Sequence, residues 1–241
     1  MRPMNTHSFT AFEIAAQLAK VKKDIAAVAQ RAGRSENDVR LIAVSKTRPV
    51  ETVAAALKAG QTDFGENTIQ DARPKLEAFS GSPIYWHFIG HLQTNKAKYL
   101  AGAFQWLHTL DKLTKAEKLS KACAQQAVSI NTLIQVNVSR DPAKHGVAPG
   151  DLDAFVEALL EADLAGIKLK GLMTIAKQTR DEIAIRQCFS DLRETRDKLQ
   201  QQFGLDQFTE LSMGMSGDYK EAITEGATMV RIGTTIFGQR T

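Results

Sequence analysis

The stretch Leu41-Ile42-Ala43-Val44-Ser45-Lys46 decides the fold, because it begins a pattern that recurs along the chain. Four apolar residues followed by Ser45 and Lys46 predict a short strand that is buried on both faces, as in a parallel sheet. A helical spacing of apolar residues over 50–59 follows directly, with Pro49 in its first turn and Gly60 at its end. The stretch is therefore the strand of a strand–helix unit.

This alternation of strand and helix occurs eight times. Strands are predicted near residues 41–45, 63–66, 85–90, 106–109, 132–138, 169–175, 210–213 and 229–233. Helices are predicted over residues 10–32, 50–59, 69–79, 95–101, 112–126, 151–162, 180–203 and 218–225, the first of them ahead of all strands. Eight such units in 241 residues predict an α/β fold, a single (β/α)8 barrel of the TIM type with an extra N-terminal helix.

Residues at the ends of the helices agree with these boundaries. Gly33 and Gly204 are expected to end helices, and Asp111 is expected to be the N-cap of the helix over 112–126. An open, doubly wound sheet is the alternative fold. It is disfavoured because Ser45-Lys46-Thr47-Arg48-Pro49 follows the first strand where a dinucleotide-binding sheet has a glycine-rich turn. No linker interrupts the pattern, so residues 1–241 are expected to form one domain.

Composition excludes several classes of protein. Hydrophobic residues make up 43% of the chain and charged residues 24%, which is typical of a folded globular domain. The net charge of +4 is modest and spread over mixed charges, so nucleic-acid binding is not expected. With two distant cysteines, no apolar leader in residues 1–10 and no apolar stretch long enough to cross a bilayer, a cytoplasmic protein is expected. No sequence feature demands a dimer, so we expect a monomer.

Lys46 is the first candidate for chemistry, because it ends the first predicted strand at the rim of the barrel. An amine placed after an apolar run is partly desolvated, and desolvation lowers its pKa toward the neutral form that attacks aldehydes. Pyridoxal 5′-phosphate (PLP) is the obvious aldehyde. Taken alone, however, the segment is more typical of a solvated lysine at the end of a strand, so the interpretation depends on other residues.

Two segments near the carboxyl terminus indicate a phosphate site. Ser216 and Gly217 are predicted at the start of a helix, where backbone N–H groups can bind an anion; a simple N-cap role for Ser216 is the alternative. Gly233 and Thr234 follow the eighth strand. The loops after strands seven and eight are the usual phosphate site of this barrel, so both segments are candidate phosphate ligands.

Arg231 is a charged residue inside an otherwise apolar strand, between Val230 and Ile232. Such an arginine usually forms a salt bridge across the barrel, but here it can instead face the pyridine nitrogen of the cofactor. Because an arginine only donates hydrogen bonds, the pyridine nitrogen would stay unprotonated and the cofactor would be a weaker electron sink. Strands one and eight are neighbours in a closed barrel, so Lys46 should face segment 231–234.

Six motifs in one order along the chain together resemble a single family. They are Val44-Ser45-Lys46, Gly65-Glu66-Asn67 with Gln70, the segment 87–93 (HFIGHLQ), Gly171-Leu172-Met173, the segment 211–216 (LSMGMS), and Arg231-Ile232-Gly233 with Phe237-Gly238. From about Leu41 to Gly238 the chain is similar to the pyridoxal phosphate homeostasis proteins, which have a barrel of the alanine racemase type.

The resemblance implies a protein that binds PLP as a Schiff base on Lys46, buffers it and supplies it to PLP-dependent apo-enzymes, without established catalytic turnover. It also implies that Arg231 is the partner of the pyridine nitrogen and that Asn67 lies near the ring and its hydroxyl. The implied phosphate ligands belong to the two loops described above: Ser216, Gly217, Gly233 and Thr234.

Two alternatives from other classes of function remain at this point. A PLP-dependent racemase or lyase would need a second acid opposite Lys46, and the tyrosines offer poor candidates. Tyr85 is expected in a strand core, Tyr99 in a helix, and Tyr219 just past the phosphate loop. A phosphosugar enzyme that forms an imine on Lys46 would leave Arg231 unexplained.

The histidines are expected to have structural roles or to lie at the rim. His87 is expected to be a hydrogen-bonded core residue, and His91 to lie at the rim of the barrel. His7, His108 and His145 have no spacing that indicates a zinc site, and the chemistry above requires no metal.

Overall fold

Eight parallel strands close into a barrel within residues 9–141, 144–177 and 179–239, the parts of the chain that the structure describes. In this computed structural model each strand pairs with the next one along the chain, and the last pairs with the first. The strands are β1 (Arg40–Val44), β2 (Asp63–Glu66), β3 (Tyr85–Phe88), β4 (Trp106–Leu110), β5 (Ile130–Gln135), β6 (Ile167–Met173), β7 (Glu210–Met215) and β8 (Met229–Ile232).

Helices connect the strands and surround the barrel. They are α1 (Ala11–Arg31), α2 (Val50–Lys58), α3 (Ile69–Ala78), α4 (Leu113–Gln126), α5 (Leu152–Glu161), α6 (Glu182–Phe203), α7 (Tyr219–Thr224) and α8 (Thr234–Phe237). Short 3-10 helices cover Glu36–Asp38, Thr94–Tyr99 and Pro149–Asp151. None of the helices within the described residues is long and apolar enough to cross a membrane.

The predicted barrel with its extra N-terminal helix is confirmed, but the helices differ from the prediction in several places. Residues 95–101 do not form an α-helix, because this connection is the 3-10 helix Thr94–Tyr99. Asp111 is not the N-cap of α4; Lys112 is, and Asp111 instead pairs with Lys115 at 2.6 Å. The short helix α8 was not predicted at all. The single domain over residues 1–241 stays a prediction, since it includes residues outside the described ranges.

The core has two layers because strand residues alternate between the inside of the barrel and the surrounding helices. The inner layer contains large apolar side chains from five of the eight strands: Ile42, Trp106, Leu133, Met173 and Met229. The outer layer lies between the sheet and the helices and is the larger of the two. The barrel is therefore filled, and a ligand can enter only at its ends.

Helix α1 packs on the side of the barrel where the last strands meet the first. Its start is fixed by a capping box between Thr10 and Glu13, and its buried face includes Ile14 and Leu18. The helix packs against α2, α7 and α8. Because α7 and α8 follow β7 and β8, the extra helix stabilises the segments that carry the predicted phosphate ligands.

Candidate functional site

Closure of the barrel places the end of β1 beside the end of β8. Ile42 pairs with Arg231 and Ala43 pairs with Ile232. Gly233 follows so closely behind Val44 that a β-carbon at residue 233 would lie 3.1 Å from the Val44 carbonyl oxygen. Lys46 and segment 231–234 are therefore neighbours, as predicted, although they lie near opposite ends of the sequence.

A cavity of about 390 Å³ opens at this end of the barrel, within the size range of small-molecule sites. It brings together all seven residues that were selected from the sequence: Lys46, Asn67, Ser216, Gly217, Arg231, Gly233 and Thr234. The remaining lining residues are four apolar side chains and one arginine: Val44, Ile89, Ile175, Met215 and Arg48. One amine, one buried guanidinium and two hydroxyl groups thus share one partly apolar cavity.

The backbone that carries Lys46 is held by a buried polar cluster on the helix side of the sheet. The Ser45 hydroxyl donates to Glu66 Oε1 at 2.5 Å. The Lys75 ammonium, which reaches in from α3, donates to the same oxygen at 2.6 Å and to the Ser45 carbonyl at 2.7 Å. Burial raises the pKa of Glu66, while Lys75 and Ser45 act in the opposite direction and favour the carboxylate. The cluster joins β1, β2 and α3 directly behind Lys46.

The loop after β1 is also tied to the end of the chain. Thr47 has a positive φ of 63°, so the backbone turns sharply immediately after Lys46. Arg48 then donates hydrogen bonds to the carbonyl oxygens of Gly238 and Gln239 at 2.5 and 3.0 Å. This loop therefore closes one side of the cavity against the segment that follows α8.

Arg231 is buried at the floor of the cavity, with 5% of its surface exposed. Its guanidinium donates to the Ser212 hydroxyl at 2.6 Å and to the Thr174 carbonyl at 2.9 Å. Within the described residues no carboxylate lies within 4.0 Å of it, so the salt bridge considered from the sequence is not formed. Burial lowers the pKa of Arg231 to about 10, which leaves the side chain charged at neutral pH.

Asn67 reaches the cavity through a very close approach of two backbone segments. A β-carbon at residue 90 would lie 1.8 Å from the Asn67 carbonyl oxygen, so only glycine fits there. The Thr109 hydroxyl donates to the Gly90 carbonyl at 2.6 Å and holds this segment in place. The glycine of the segment 87–93 thus lets β3 support Asn67, which follows β2.

The four predicted phosphate ligands differ in their local structure: Gly233 and Thr234 begin the short helix α8, whereas Ser216 and Gly217 lie in a turn. Ser216 and Gly217 were expected at the start of a helix, but α7 begins at Tyr219 with Asp218 as N-cap. They occupy a turn in which the Asp218 N–H donates to the Met215 carbonyl at 3.1 Å. The Asp218 carboxylate in turn accepts from the Met215 N–H at 2.6 Å. An anion bound here would therefore contact the turn at Ser216 and Gly217 and not the first residues of α7.

A group of possible metal ligands, not indicated by the sequence spacing, lies elsewhere on the same rim. The ligand atoms of His91, Asp111 and His145 lie within 4.8 Å of one another. However, the two imidazole rings stack at 3.8 Å with 19° between their planes, so their lone pairs lie in two nearly parallel planes and are poorly placed to bind one ion together. Asp111 is already paired with Lys115. His7 lies outside the described residues.

The remaining histidines and the tyrosines complete the comparison with the sequence. His87 is fully buried and hydrogen-bonded, as predicted, and His91 lies at the exposed rim. Tyr85 was expected in a strand core and is instead 55% exposed at the start of β3, so that prediction is wrong. None of the described residues that line the cavity is a tyrosine.

Known proteins show the same fold over nearly the full chain. Residues 16–241 match the family described as alanine racemase, N-terminal domain. The pyridoxal phosphate homeostasis protein of Pseudomonas aeruginosa is 45% identical over 227 residues, which cover 94% of this chain and 96% of that protein. PipY of Synechococcus elongatus, solved with PLP bound, is 34% identical and superposes with a TM-score of 0.82. The match covers 93% of this chain and 100% of PipY.

A more distant relative in structure has the same fold at low sequence identity. Alanine racemase of Clostridium difficile has a TM-score of 0.72 at 14% identity, and this chain covers 56% of it. At that identity the likeness shows the fold alone. The fold and the family match define the class, a barrel of the alanine racemase N-terminal domain type. Within this class, the chain belongs to the family of pyridoxal phosphate homeostasis proteins.

Proposed function

We propose that this protein binds PLP in the cavity between Lys46 and Arg231 and takes part in PLP homeostasis. The observation that carries the proposal is the meeting of an amine, a buried guanidinium and the hydroxyls of Ser216 and Thr234 in one cavity of about 390 Å³. PLP has an aldehyde, a pyridine nitrogen that accepts hydrogen bonds, and a phosphate. Each of these groups finds a suitable partner among the residues present. The names of the relatives, and PipY with its bound PLP, point to the same ligand.

Lys46 is proposed to hold the cofactor covalently and reversibly. The neutral amine adds to the aldehyde carbon, water leaves, and a Schiff base forms; addition of water reverses the reaction and frees the cofactor. Lys46 is half-buried at the cavity and is followed by the tight turn at Thr47. A site that opens to solvent on one side suits a protein that must both retain and release its ligand.

Arg231 is proposed to face the pyridine nitrogen and to donate a hydrogen bond to it. The guanidinium stays charged, because its pKa of about 10 is well above neutral pH, and it has no acceptor of its own. It would therefore hold the ring without supplying a proton. The bound cofactor would be a weak electron sink, which fits storage and transfer better than amino-acid chemistry.

The phosphate is proposed to lie between the turn after β7 and the segment after β8. Ser216 and Gly217 belong to the first, Gly233 and Thr234 to the second, and β7 pairs with β8 at Met215 and Arg231. Hydroxyl and backbone N–H donors suffice for a phosphate that must be released again. Asn67 is proposed to contact the ring from the opposite wall, where Gly90 supports it.

The biological setting is proposed on more general grounds. We propose that the protein passes PLP to apo-enzymes and has no catalytic turnover of its own. Cys123 is buried and Cys188 half-buried, and both are free thiols, which is typical of a reducing compartment such as the cytoplasm. A monomer without affinity for nucleic acid stays a prediction.

Borohydride trapping tests the covalent site. The holo-protein should show an imine absorbance band, and after reduction, peptide mapping should find the pyridoxyl group on Lys46. Lys46→Ala should lose the band, whereas Lys22→Ala should keep it, because Lys22 contacts the carbonyl of Gly60, which precedes β2 and so lies at the opposite end of this strand from Asn67. Label on a different lysine, or an unchanged band in Lys46→Ala, would show that Lys46 is not the binding residue.

A further inference from the structure

A continuous series of buried hydrogen bonds runs through the inside of the barrel, from Asp63 at the start of β2 to Arg231 at the cavity. We call it the interior network; its members are Asp63, His87, His108, Ser212 and Arg231. Asp63 Oδ1 lies 3.1 Å from His87 Nε2, and His87 Nδ1 lies 2.9 Å from His108 Nε2. His108 Nδ1 lies 2.8 Å from Ser212 Oγ, which accepts from Arg231 at 2.6 Å.

The chemistry of the two ends fixes the direction of every hydrogen bond between them. Arg231 can only donate, so Ser212 Oγ accepts from it. Because a hydroxyl could also accept from His108, it is the ionised Asp63 at the other end, which can only accept, that requires Ser212 to donate its proton to His108 Nδ1 when both imidazoles are neutral. His108 therefore carries its proton on Nε2 and donates to His87 Nδ1. His87 then carries its proton on Nε2 and donates to Asp63, whose ionised carboxylate can only accept. Every member is satisfied with both imidazoles neutral and only one arrangement of protons.

The surroundings agree with neutral imidazoles. Both rings are completely buried, and His87 stacks on Trp106 with 5.7 Å between the ring centres. Burial lowers the pKa of His87, although Asp63 and Glu210 act against it. Burial, together with the positive charges of Arg231 and Arg40, lowers the pKa of His108 further. Burial alone would raise the pKa of Asp63, but the hydrogen bond to His87 and the positive charge of nearby Arg40 outweigh it, so the pKa is lowered and Asp63 stays ionised.

We propose that Ser212, His108 and His87 are positioning residues which hold the Arg231 guanidinium in one orientation, with Asp63 fixing the network at its far end. This proposal rests on the proposed function: the orientation of the guanidinium matters only if Arg231 faces bound PLP. With Nη1 held by Ser212 and Nη2 by the Thr174 carbonyl, the plane of the guanidinium is set before any ligand arrives. Preorganisation of this kind reduces the entropy lost on binding.

Nitrogen-15 NMR of the imidazoles tests the network directly, and it does so in the protein without PLP. Both His87 and His108 should be neutral, with the proton on Nε2 and a bare, hydrogen-bonded Nδ1. A proton on Nδ1 of either ring would mean that the network runs in the reverse direction, and an imidazolium would mean that it is broken; each result overturns the proposal. Because no cofactor is present, this outcome is independent of whether PLP binds at Lys46.

Variants test the link to Arg231. His108→Leu should weaken PLP binding about tenfold, the effect expected when one hydrogen bond that positions a charged group is lost. His108→Gln should restore most of it, since an amide can accept from Ser212 and donate to His87. Ser212→Ala should behave like His108→Leu and should change the His108 Nδ1 resonance, because its donor is removed.

Thr132→Val is the matched control for Ser212→Ala. Thr132 is also a buried hydroxyl residue of a barrel strand, but it donates to the Ile130 carbonyl and does not belong to the interior network. It should leave both the imidazole resonances and the PLP affinity unchanged. If His108→Leu and Ser212→Ala fold and bind PLP as tightly as the parent protein, the positioning role is wrong even where PLP binding itself is confirmed.

Discussion

The carboxylate of Glu66 lies 2.6 Å from the ammonium of Lys75, and both groups are buried behind the strand end that carries Lys46. Such a pair is bound by strong Coulomb attraction but has lost the hydration of both charges. Removing one partner leaves the other charge buried and alone. Replacing both removes the desolvation penalty as well.

We therefore expect Lys75→Met to lower the free energy of unfolding by about 3–5 kcal/mol, measured by urea denaturation. The double variant Lys75→Met/Glu66→Met should recover most of this loss. Lys198→Met is the control. Its ion pair with Asp153 is almost as short, at 2.7 Å, but the side chains are 62% and 45% exposed. That variant should lose less than about 1 kcal/mol. Equal losses for the buried and exposed pairs would contradict the argument.

Gly90 should tolerate no side chain, because the atoms next to it belong to the backbone of Asn67 and not to a flexible side chain. In Gly90→Ala the new β-carbon would meet the Asn67 backbone, so the segment after β2 must shift and Asn67 must leave its place in the cavity wall. We expect a loss of about 1–3 kcal/mol in stability and weaker PLP retention. Gly150→Ala, where nothing lies within 4 Å of the added carbon, should change neither quantity. Normal PLP retention in Gly90→Ala would indicate that Asn67 does not contribute.

The two hydroxyls beside the proposed phosphate position should contribute separately to affinity. Ser216→Ala and Thr234→Ala should each weaken PLP binding by about 1–3 kcal/mol, since each loses a hydrogen bond to a charged group. Dialysis followed by spectroscopy would measure the dissociation constant. Thr235 is adjacent to Thr234 but does not line the cavity, so Thr235→Ala should have no effect. An unchanged dissociation constant in the double variant would place the phosphate elsewhere.

Stability should fall on mild acidification because two imidazoles are buried in the neutral form. The pKa values of His87 and His108 are lowered in the folded protein, while an unfolded chain takes up protons near pH 6.5. Protons therefore bind the unfolded state preferentially below that pH, and the free energy of unfolding decreases by up to about 1.4 kcal/mol per pH unit for each imidazole.

Urea unfolding between pH 7.5 and pH 5.5 would show this slope. The raised pKa values of Glu66 and Asp218 act in the opposite direction, but they are common to the parent and to a His87→Gln/His108→Gln variant. The variant lacks the titrating rings and should have a smaller slope. A slope that is the same in both proteins would show that the two histidines are not responsible.

The barrel could be predicted from the sequence because each strand is a short local pattern followed by a helical one. β2 begins and ends at the predicted residues, and every other strand overlaps its prediction. Lys46 and Arg231 could be paired in advance because closure makes β1 and β8 neighbours whatever the loops do. The seven predicted site residues share one cavity for the same topological reason.

Features that depend on atomic distances could not be predicted in this way. The sequence placed His87 in the core but did not connect it with His108 or Ser212, which lie on other strands and meet only inside the closed barrel. A possible signal was present, since His87 and His108 both occur in the middle of adjacent predicted strands. The helix predicted over 218–225 is close to α7, but Asp218 and not Ser216 is its N-cap, and the Asp218 carboxylate accepts from the Met215 N–H in the preceding turn.

The last prediction concerns catalysis. With PLP bound, the protein should show no appreciable racemase, transaminase or decarboxylase turnover, for two independent reasons. Arg231 cannot protonate the pyridine nitrogen, so negative charge that develops at a substrate α-carbon gains little stabilisation. In addition, no described residue that lines the cavity is a tyrosine, cysteine or histidine, the side chains suited to act as a second acid opposite Lys46.

Solvent deuterium exchange at the α-carbon of alanine and serine, followed by NMR, measures this activity. The rate with holo-protein should not exceed the rate with free PLP at equal concentration, and Lys46→Ala should give the same result as the parent protein. The variant Arg231→Glu gives a sharper comparison, because its carboxyl group can share a proton with the pyridine nitrogen. If Arg231 suppresses the chemistry, this variant should raise the exchange rate above that of the parent protein. Exchange in the parent well above the free-cofactor rate, and dependent on Lys46, would instead identify an enzyme and contradict a purely homeostatic role.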